Sequence, residues 1–409
     1  MRKFLVCAVV AGLAVTGWAK ENVTSVVGTV PYKVETVPQG FGAVRRHIIE
    51  VNPKEAQRVF LQEVMTLATV DAIENGTNVK AVTRMTDYKG AYESDNPRVS
   101  PDGGTVLFNL LEENNNINLW TMASATGLNK IRNTEGSYLN FFGSFSPQGD
   151  KIIFSSNRTD PNAHLWEIKA HGGGGGLRRI TDSRESDMWA HEDPAGGGFI
   201  AFTRFQWGST KGTIWTYDRK NYLSTQLREG RQPQVSPNGQ HIAYSAFDEQ
   251  EKHWNIWVMG VDGAHPTQLT SNDADNITPS WHPSSKWIIF ASNKGSVAAK
   301  SRKSGTDLRV HNFDIWMMKV NGEHTSQLTE NGSDDDNPVF SPDGKTFYFS
   351  SNRGHAVENP GPDMLKEFQA RKDIVSIDGA SLPLGRGRDI WRALVSDEVL
   401  RENIGTVAK

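Results

Sequence analysis

Tryptophan recurs along this chain behind an Ile or Leu, as Trp120, Trp166, Trp215, Trp257, Trp316 and Trp391, and in four of the six an Asn or Asp comes one place earlier. A second marker precedes each, a proline in a tight polar turn: Ser100-Pro101-Asp102-Gly103, Ser146-Pro147-Gln148-Gly149, Ser236-Pro237-Asn238-Gly239, His282-Pro283 and Ser341-Pro342-Asp343-Gly344. A degenerate copy, Asp193-Pro194-Ala195-Gly196, fills the third slot. A chain built on one repeated unit must bury each unit against its neighbours, so the repeat constrains the fold before local propensity does.

The spacing selects the architecture. Prolines 101, 147, 194, 237, 283 and 342 lie 46, 47, 43, 46 and 59 residues apart, close to the forty-odd residues of a four-stranded propeller blade. Val339-Phe340 leads into a Pro-Asp-Gly turn and Thr346 to Phe349 leads out, which reads as strand, hairpin and strand. The Ile-Trp run is a third strand, and Gln268-Leu269-Thr270 or Gln327-Leu328-Thr329 a fourth. No copy carries the 3.6-residue stripe of a helical solenoid. The expectation is an all-β, six-bladed propeller.

Val79 to Thr86 resembles the fourth-strand ending of the full copies but arrives before the first turn, and the sixth copy has no such strand after Trp391. An N-terminal strand therefore closes the last blade, removing the open edges of an incomplete ring. The expected division is 1–19 signal peptide, 20–77 N-terminal extension, 78–396 propeller and 397–409 C-terminal tail. Within the extension, Asn52-Pro53 reads as a helix start with Val59, Phe60 and Val64 on one face, a strand over 59–70 being the alternative.

Arg2-Lys3, an apolar run from Phe4 to Val15 and small residues at Gly17 and Ala19 make an export signal cut after Ala19. The run is too short for a spanning helix, so no membrane span is expected after cleavage. The single Cys, Cys7, lies inside it, which leaves no disulfide or thiol chemistry beyond. A net charge of −3 argues against nucleic acid and against a polybasic membrane surface. The expected compartment is the periplasm.

Two copies are stretched between second and third strands, from Asn293 to Asp314 and from Asn352 to Asp389. The first insertion carries Lys294, Lys300, Arg302, Lys303 and Arg309 against Asp307, and the second a short helical pattern around Leu365 and Phe368. Alternating strand direction puts both insertions on the face that also bears the inter-blade loops. Those loops are polar, and with Asn140 they supply a candidate binding rim: Asp95, Asn96, Asn140, His191, Glu192, Arg231, Asp275, Asn276, Asp336 and Asn337.

These units resemble the TolB-type propeller repeat, a WD40-like unit. The resemblance rests on Asn337-Pro338-Val339-Phe340-Ser341-Pro342-Asp343-Gly344 running to Phe349-Ser350-Ser351-Asn352-Arg353, with Ser155-Ser156-Asn157-Arg158 and Ile242-Ala243-Tyr244-Ser245 in support, and covers about three quarters of the chain. It implies a periplasmic propeller with an N-terminal domain, a channel mouth that binds the lipoprotein Pal, and an N-terminal segment that binds TolA. The chain departs from it in the short stretch at 20–77 and in the two insertions.

The six Trp are expected to pack between blades, each indole N–H finding a partner. Asp95, Asp275 and Asp336 are candidate ligands for Ca²⁺ at the rim, although no compact calcium loop is present and no cofactor is expected. His191 and Glu192 in the degenerate third copy, with Arg231 aligned to Asp95 and Asp336, would be the catalytic groups of an enzyme if they met in one pocket. The expected function is non-enzymatic, capture of an envelope protein or polymer, Pal-like, at the mouth. Alternatives are an enzyme or binder acting on a glycan at the rim, and a structural subunit of an envelope assembly.

Overall fold

The computed structural model describes 78–87, 93–112, 116–159, 161–170, 175–206, 211–271, 273–295, 313–330, 333–353 and 388–400, and the backbone of four strands nearer the N-terminus. Those four are β1 (Val23–Val27), β2 (Val30–Gln39), β3 (Val44–Val51) and β4 (Val59–Val64), a separate antiparallel sheet in chain order. β4 replaces the helix expected there: Phe60 pairs with Ile48 across the ladder, and the Val- and Phe-rich composition that read as a helix face suits a strand better. The expected export signal and the bodies of both insertions lie outside the described residues.

The remaining strands form six four-stranded antiparallel sheets. β5 (Val79–Arg84) is set apart for the last of them. Blade 1 is β6 (Glu93–Val99), β7 (Thr105–Leu111), β8 (Ile117–Ala123) and β9 (Ile131–Arg132). Blade 2 is β10 (Asn140–Phe145), β11 (Lys151–Ser156), β12 (His164–Lys169) and β13 (Arg178–Arg179). Blade 3 is β14 (Ser186–Glu192), β15 (Phe199–Phe205), β16 (Thr213–Asp218) and β17 (Leu223–Glu229). Blade 4 is β18 (Arg231–Val235), β19 (His241–Asp248), β20 (His253–Gly260) and β21 (Thr267–Gln268). Blade 5 is β22 (Asn276–Trp281), β23 (Trp287–Ser292), β24 (Asp314–Lys319) and β25 (Ser326–Gln327). Blade 6 is β26 (Asp335–Phe340), β27 (Thr346–Ser351), β28 (Asp389–Val395) and, as its outer strand, β5.

The ring closes as expected. β5 pairs with β28, Trp391 opposite Arg84, and Asp389 accepts from the Arg84 guanidinium and from Thr86 Oγ1 at 2.7 Å. The core is a wheel of six apolar clusters, one in each seam between neighbouring blades. The repeated Trp lie in these seams. Their polar ends depart from expectation: Trp120 Nε1 donates to Glu112, but Trp166, Trp316 and Trp391 meet no acceptor among the described residues. Their ring faces are covered by cations instead, with Arg158 over Trp166, Arg204 over Trp215, Lys294 over Trp316 and Arg353 over Trp391, at 5.1, 4.5, 5.3 and 5.7 Å.

Each inner strand breaks register once. The shifts fall at Asp95/Arg98, Phe141/Ser144, Met188/His191, Arg231/Gln234, Ile277/Ser280 and Asp336/Val339. At each bulge one non-glycine residue adopts the left-handed conformation: Asn96, Phe142, Trp189, Gln232, Thr278 and Asn337, with φ between 50° and 57°. That conformation is uncommon for such residues and costly for a β-branched one. A recurring reward is visible: the freed N–H of Asn96, Phe142 and Gln232 reaches Ser350, Asn109 and Thr203 on the second strand of the preceding blade. The bulges therefore tie blades together around the channel.

Candidate functional site

The register of blades 5 and 6 identifies the functional face. Asn276 lies beside Ser292 and Asp314, and Asp335 beside Ser351 and Asp389. The stems of both insertions thus flank the starts of the inner strands. The opposite end is lined by the Ser-Pro-Asp-Gly turns, whose Gly103, Gly149, Gly239 and Gly344 have φ of 65–75° and whose Ser100, Ser146 and Ser236 hydroxyls accept from the backbone N–H groups of Thr105, Lys151 and His241.

The mouth has two halves. Around blades 5, 6 and 1 it is charged. Asp95 accepts from Asn337 Nδ2 at 3.0 Å. Asp336 accepts from Thr278 Oγ1 at 2.7 Å and from the Asn337 N–H at 2.6 Å. Asp334 pairs with Arg388 and accepts from the Phe313 N–H. Burial is the main cause that lifts the Asp336 carboxyl to about 6, aided by Asp95 and Asp334 and opposed by Arg388 and Thr278. Burial also raises Asp334. Desolvation pulls Arg98 down to about 10 against the attraction of Asp95 and Asp336. Arg388 is buried too, but its acidic neighbours outweigh the desolvation and hold it up.

Around blades 2 and 3 the mouth is aromatic. Phe142 meets Trp189 at 4.7 Å between centroids and Trp189 meets Phe205 at 5.6 Å, with Phe141, Met188 and Leu139 packed alongside. This half was missed in the sequence, where an apolar pair in a strand reads as core. Setting Phe141-Phe142 and Met188-Trp189 in register with Asp95-Asn96 is the signal that would have found it.

The expected rim residues separate. Asp95, Asn96, Asp336 and Asn337 gather at the blade 6–blade 1 seam, where Asn96 is buried with both side-chain polar atoms lacking a partner among the described residues. Asp275 stands two places earlier in its repeat than Asp95 and Asp336. It accepts from the Trp254 N–H at 3.0 Å and faces His253 and Asn293, so it caps a loop and does not join them. No group of three or more His, Cys, Asp or Glu among the described residues is arranged to hold a metal, and Asp275 stands apart from Asp95 and Asp336. Asn140 and Asn276 also sit inside their blades, Asn140 accepting from Arg158 Nη2 at 2.6 Å and Asn276 donating to the Ala274 carbonyl at 2.9 Å.

The conditional catalytic set does not assemble. His191 and Glu192 are adjacent in a strand and so point to opposite faces. His191 Nδ1 accepts from the Val235 N–H at 3.1 Å, and burial, then Arg98, hold its pKa at about 3, so the ring stays neutral. Glu192 turns away to Arg219, which also pairs with Glu167. Arg231 is fully buried with its guanidinium 3.5 Å from the Trp254 ring centroid, a packed cation beneath the rim.

No family model matches the chain. An uncharacterized protein of Agrobacterium fabrum is 24% identical over 147 residues, 36% of this chain and 43% of the relative. An uncharacterized peptidase of Bacillus subtilis, YuxL, is 21% identical over 197 residues, 43% of this chain and 26% of the relative. The chain therefore spans less than half the length of either curated relative. A solved structure from Agrobacterium tumefaciens, described as a candidate TolB, superposes with a TM-score of 0.51 at 19% identity, over 64% of this chain and 93% of that one. The fold is thus a TolB-like propeller. The expectation that the chain is not an enzyme is overturned by the peptidase-named relative, because a propeller of this kind serves proteins with catalytic names as well. Among the described residues no helix is long and apolar enough to cross a membrane.

Proposed function

We propose that the protein is an exported, periplasmic propeller that captures a cell-envelope polypeptide, Pal-like, at the mouth where its inner strands begin. The observation that carries this reading is the asymmetry of the two channel ends. Asp95, Arg98, Asp334, Asp336 and Arg388 collect at one end, beside the stems of both insertions, from three segments far apart in sequence. Perturbed ionisable groups gathered in a concave site are where binding or chemistry is to be sought. The TolB-like fold supports the same end, since the resemblance implies a lipoprotein held at the channel mouth.

The test is a pull-down from envelope extract with the mature protein and with Asp95→Asn/Asp336→Asn, which keeps shape and removes charge. A partner held by the native protein and lost by the variant supports the reading; equal capture, or none, refutes it. A second reading is favoured by Asp336, whose carboxyl burial lifts to about 6: a carboxyl in that range can take up or give a proton near neutral pH, and turnover of a bound peptide or glycan would occur at the same mouth. Hydrolysis of a peptide and oligosaccharide panel that Asp336→Asn abolishes would establish it.

A further inference from the structure

Between the inner strands of blades 1, 3, 4, 5 and 6 lies a small pocket whose lining includes Arg98, Trp189, Gln232, Gln234, Thr278 and Asn337. Arg98 differs from the other cations there. Arg388 is paired with Asp334, and Arg231 lies against the Trp254 ring. Arg98 donates through Nη1 to the Pro97 carbonyl at 2.8 Å. Two carboxylates, Asp95 and Asp336, act on its charge through space while accepting hydrogen bonds from Asn337 Nδ2 and from Thr278 Oγ1 and the Asn337 N–H. The rest of the guanidinium faces the cavity.

Amide groups flank it. Gln232 Oε1 accepts from Ser245 Oγ and from the Thr278 N–H, both at 3.3 Å, which fixes the amide orientation and leaves Nε2 as a donor on the cavity side. The Gln234 carbonyl accepts from Trp281 Nε1 at 2.8 Å, anchoring its backbone while the side chain lines the cavity. A guanidinium fork with amide donors beside it, in a partly desolvated space, is a receptor for a carboxylate.

We infer that the cavity binds a carboxylate of the captured polypeptide, an acidic side chain or a chain terminus, with Arg98 as counter-charge and Gln232 Nε2 as second donor. This rests on the proposed binding role of the mouth and adds the chemistry of the group it takes. A polypeptide is favoured over a glycan by Trp189: Phe142 covers its ring at 4.7 Å and 32°, and Phe205 stands at its edge at 5.6 Å. One indole face and one edge are thus taken by aromatic neighbours, which leaves less of the ring for a sugar to stack on.

The experiment titrates the mature protein with N-acetyl-L-glutamate, N-acetyl-L-glutamine and D-galacturonate, read by protein NMR shifts at millimolar probe. The glutamate probe is expected to bind at least about tenfold tighter than the glutamine probe. Arg98→Gln should bring that ratio close to one, and Arg98→Lys, which keeps the charge but not the fork, should retain part of it. The partial ratio in the lysine variant separates loss of charge from loss of fold. Equal binding of acid and amide, no binding, or an undiminished ratio in Arg98→Gln overturns the inference, as does galacturonate binding tighter than glutamate. Envelope capture without acid–amide discrimination refutes this inference and leaves the binding role; discrimination without capture does the reverse.

Discussion

Consider the removal of one carboxylate from blade 6. Asp335 opens β26 with no exposed surface, and Arg353, 4% exposed, follows β27. Arg353 Nη2 reaches Asp335 Oδ2 at 2.5 Å and Nε reaches Oδ1 at 3.2 Å, while Ser351 Oγ donates to Oδ1 at 2.6 Å. The guanidinium also lies over Phe349 and Trp391 at 5.1 and 5.7 Å. Asp335→Ala would leave this cation buried with its carboxylate gone, a loss of about 3–5 kcal/mol. Asp335→Asn should cost less, about 1–2 kcal/mol, because a neutral acceptor recovers one charge-assisted bond and not two. Blade 2 is built that way, with Asn140 receiving Arg158 Nη2 at 2.6 Å. Asp335→Ala/Arg353→Leu should regain most of the loss, since apolar groups of similar volume replace a buried pair at little cost. Urea unfolding at pH 7 measures all four proteins. If the double variant is as unstable as Asp335→Ala, or if Asn and Ala cost the same, the attribution to an uncompensated buried charge is wrong.

Three further outcomes are expected. Asp336 ionises at 3.8 when unfolded and at about 6 when folded, so between these values the folded state holds the extra proton. Stability should fall as pH rises from about 4 to 6, by on the order of 3 kcal/mol, and Asp336→Asn should flatten that slope in thermal melts across the range. His191, held at about 3, should show no imidazole titration between pH 5 and 8 by NMR, and its replacement by Phe should cost about 1–3 kcal/mol by stranding the Val235 N–H. Asp389→Ala, which removes an acceptor of both Arg84 and Thr86 while Arg84 keeps Asp87, should cost about 1–3 kcal/mol, and hydrogen exchange should show β5 released before any other blade strand.

The propeller could be read because its markers are forced by geometry. Pro and Gly are needed where the turn reverses, and an aromatic is needed in each seam, so both recur at blade spacing. The closing strand showed itself by the same rule, as a fourth-strand sequence without its own blade. The site was legible only in its acidic half. The bulges use Asn, Phe, Trp, Gln and Thr at positive φ, a set with no shared side-chain chemistry, so the position that points into the channel leaves no compositional trace. Asp275 was misplaced because acidic loops look alike until the bulge fixes their register. His191 and Glu192 cannot share a pocket, because neighbours along a strand face opposite sides of its sheet. The helix expected in the extension failed for a related reason: a three-residue apolar face is too short a signal to outweigh strand pairing.

The seam at blade 6 also has a place in time. Its outer strand, at 79–84, is among the first parts of the propeller to leave the ribosome, and its third strand, at 389–395, is the last. Until β28 is made, five blades can assemble only as an arc with two bare edges, so closure is a late event with the longest sequence separation in the propeller. That vulnerability belongs to the order in which the chain is written and not to the wheel. A permuted chain, cut in a loop between two other blades and joined across the old ends, would keep the blade contacts while moving the joint to a different seam. Comparing its refolding rate with that of the native order would show how far folding speed is set by where the circle is opened.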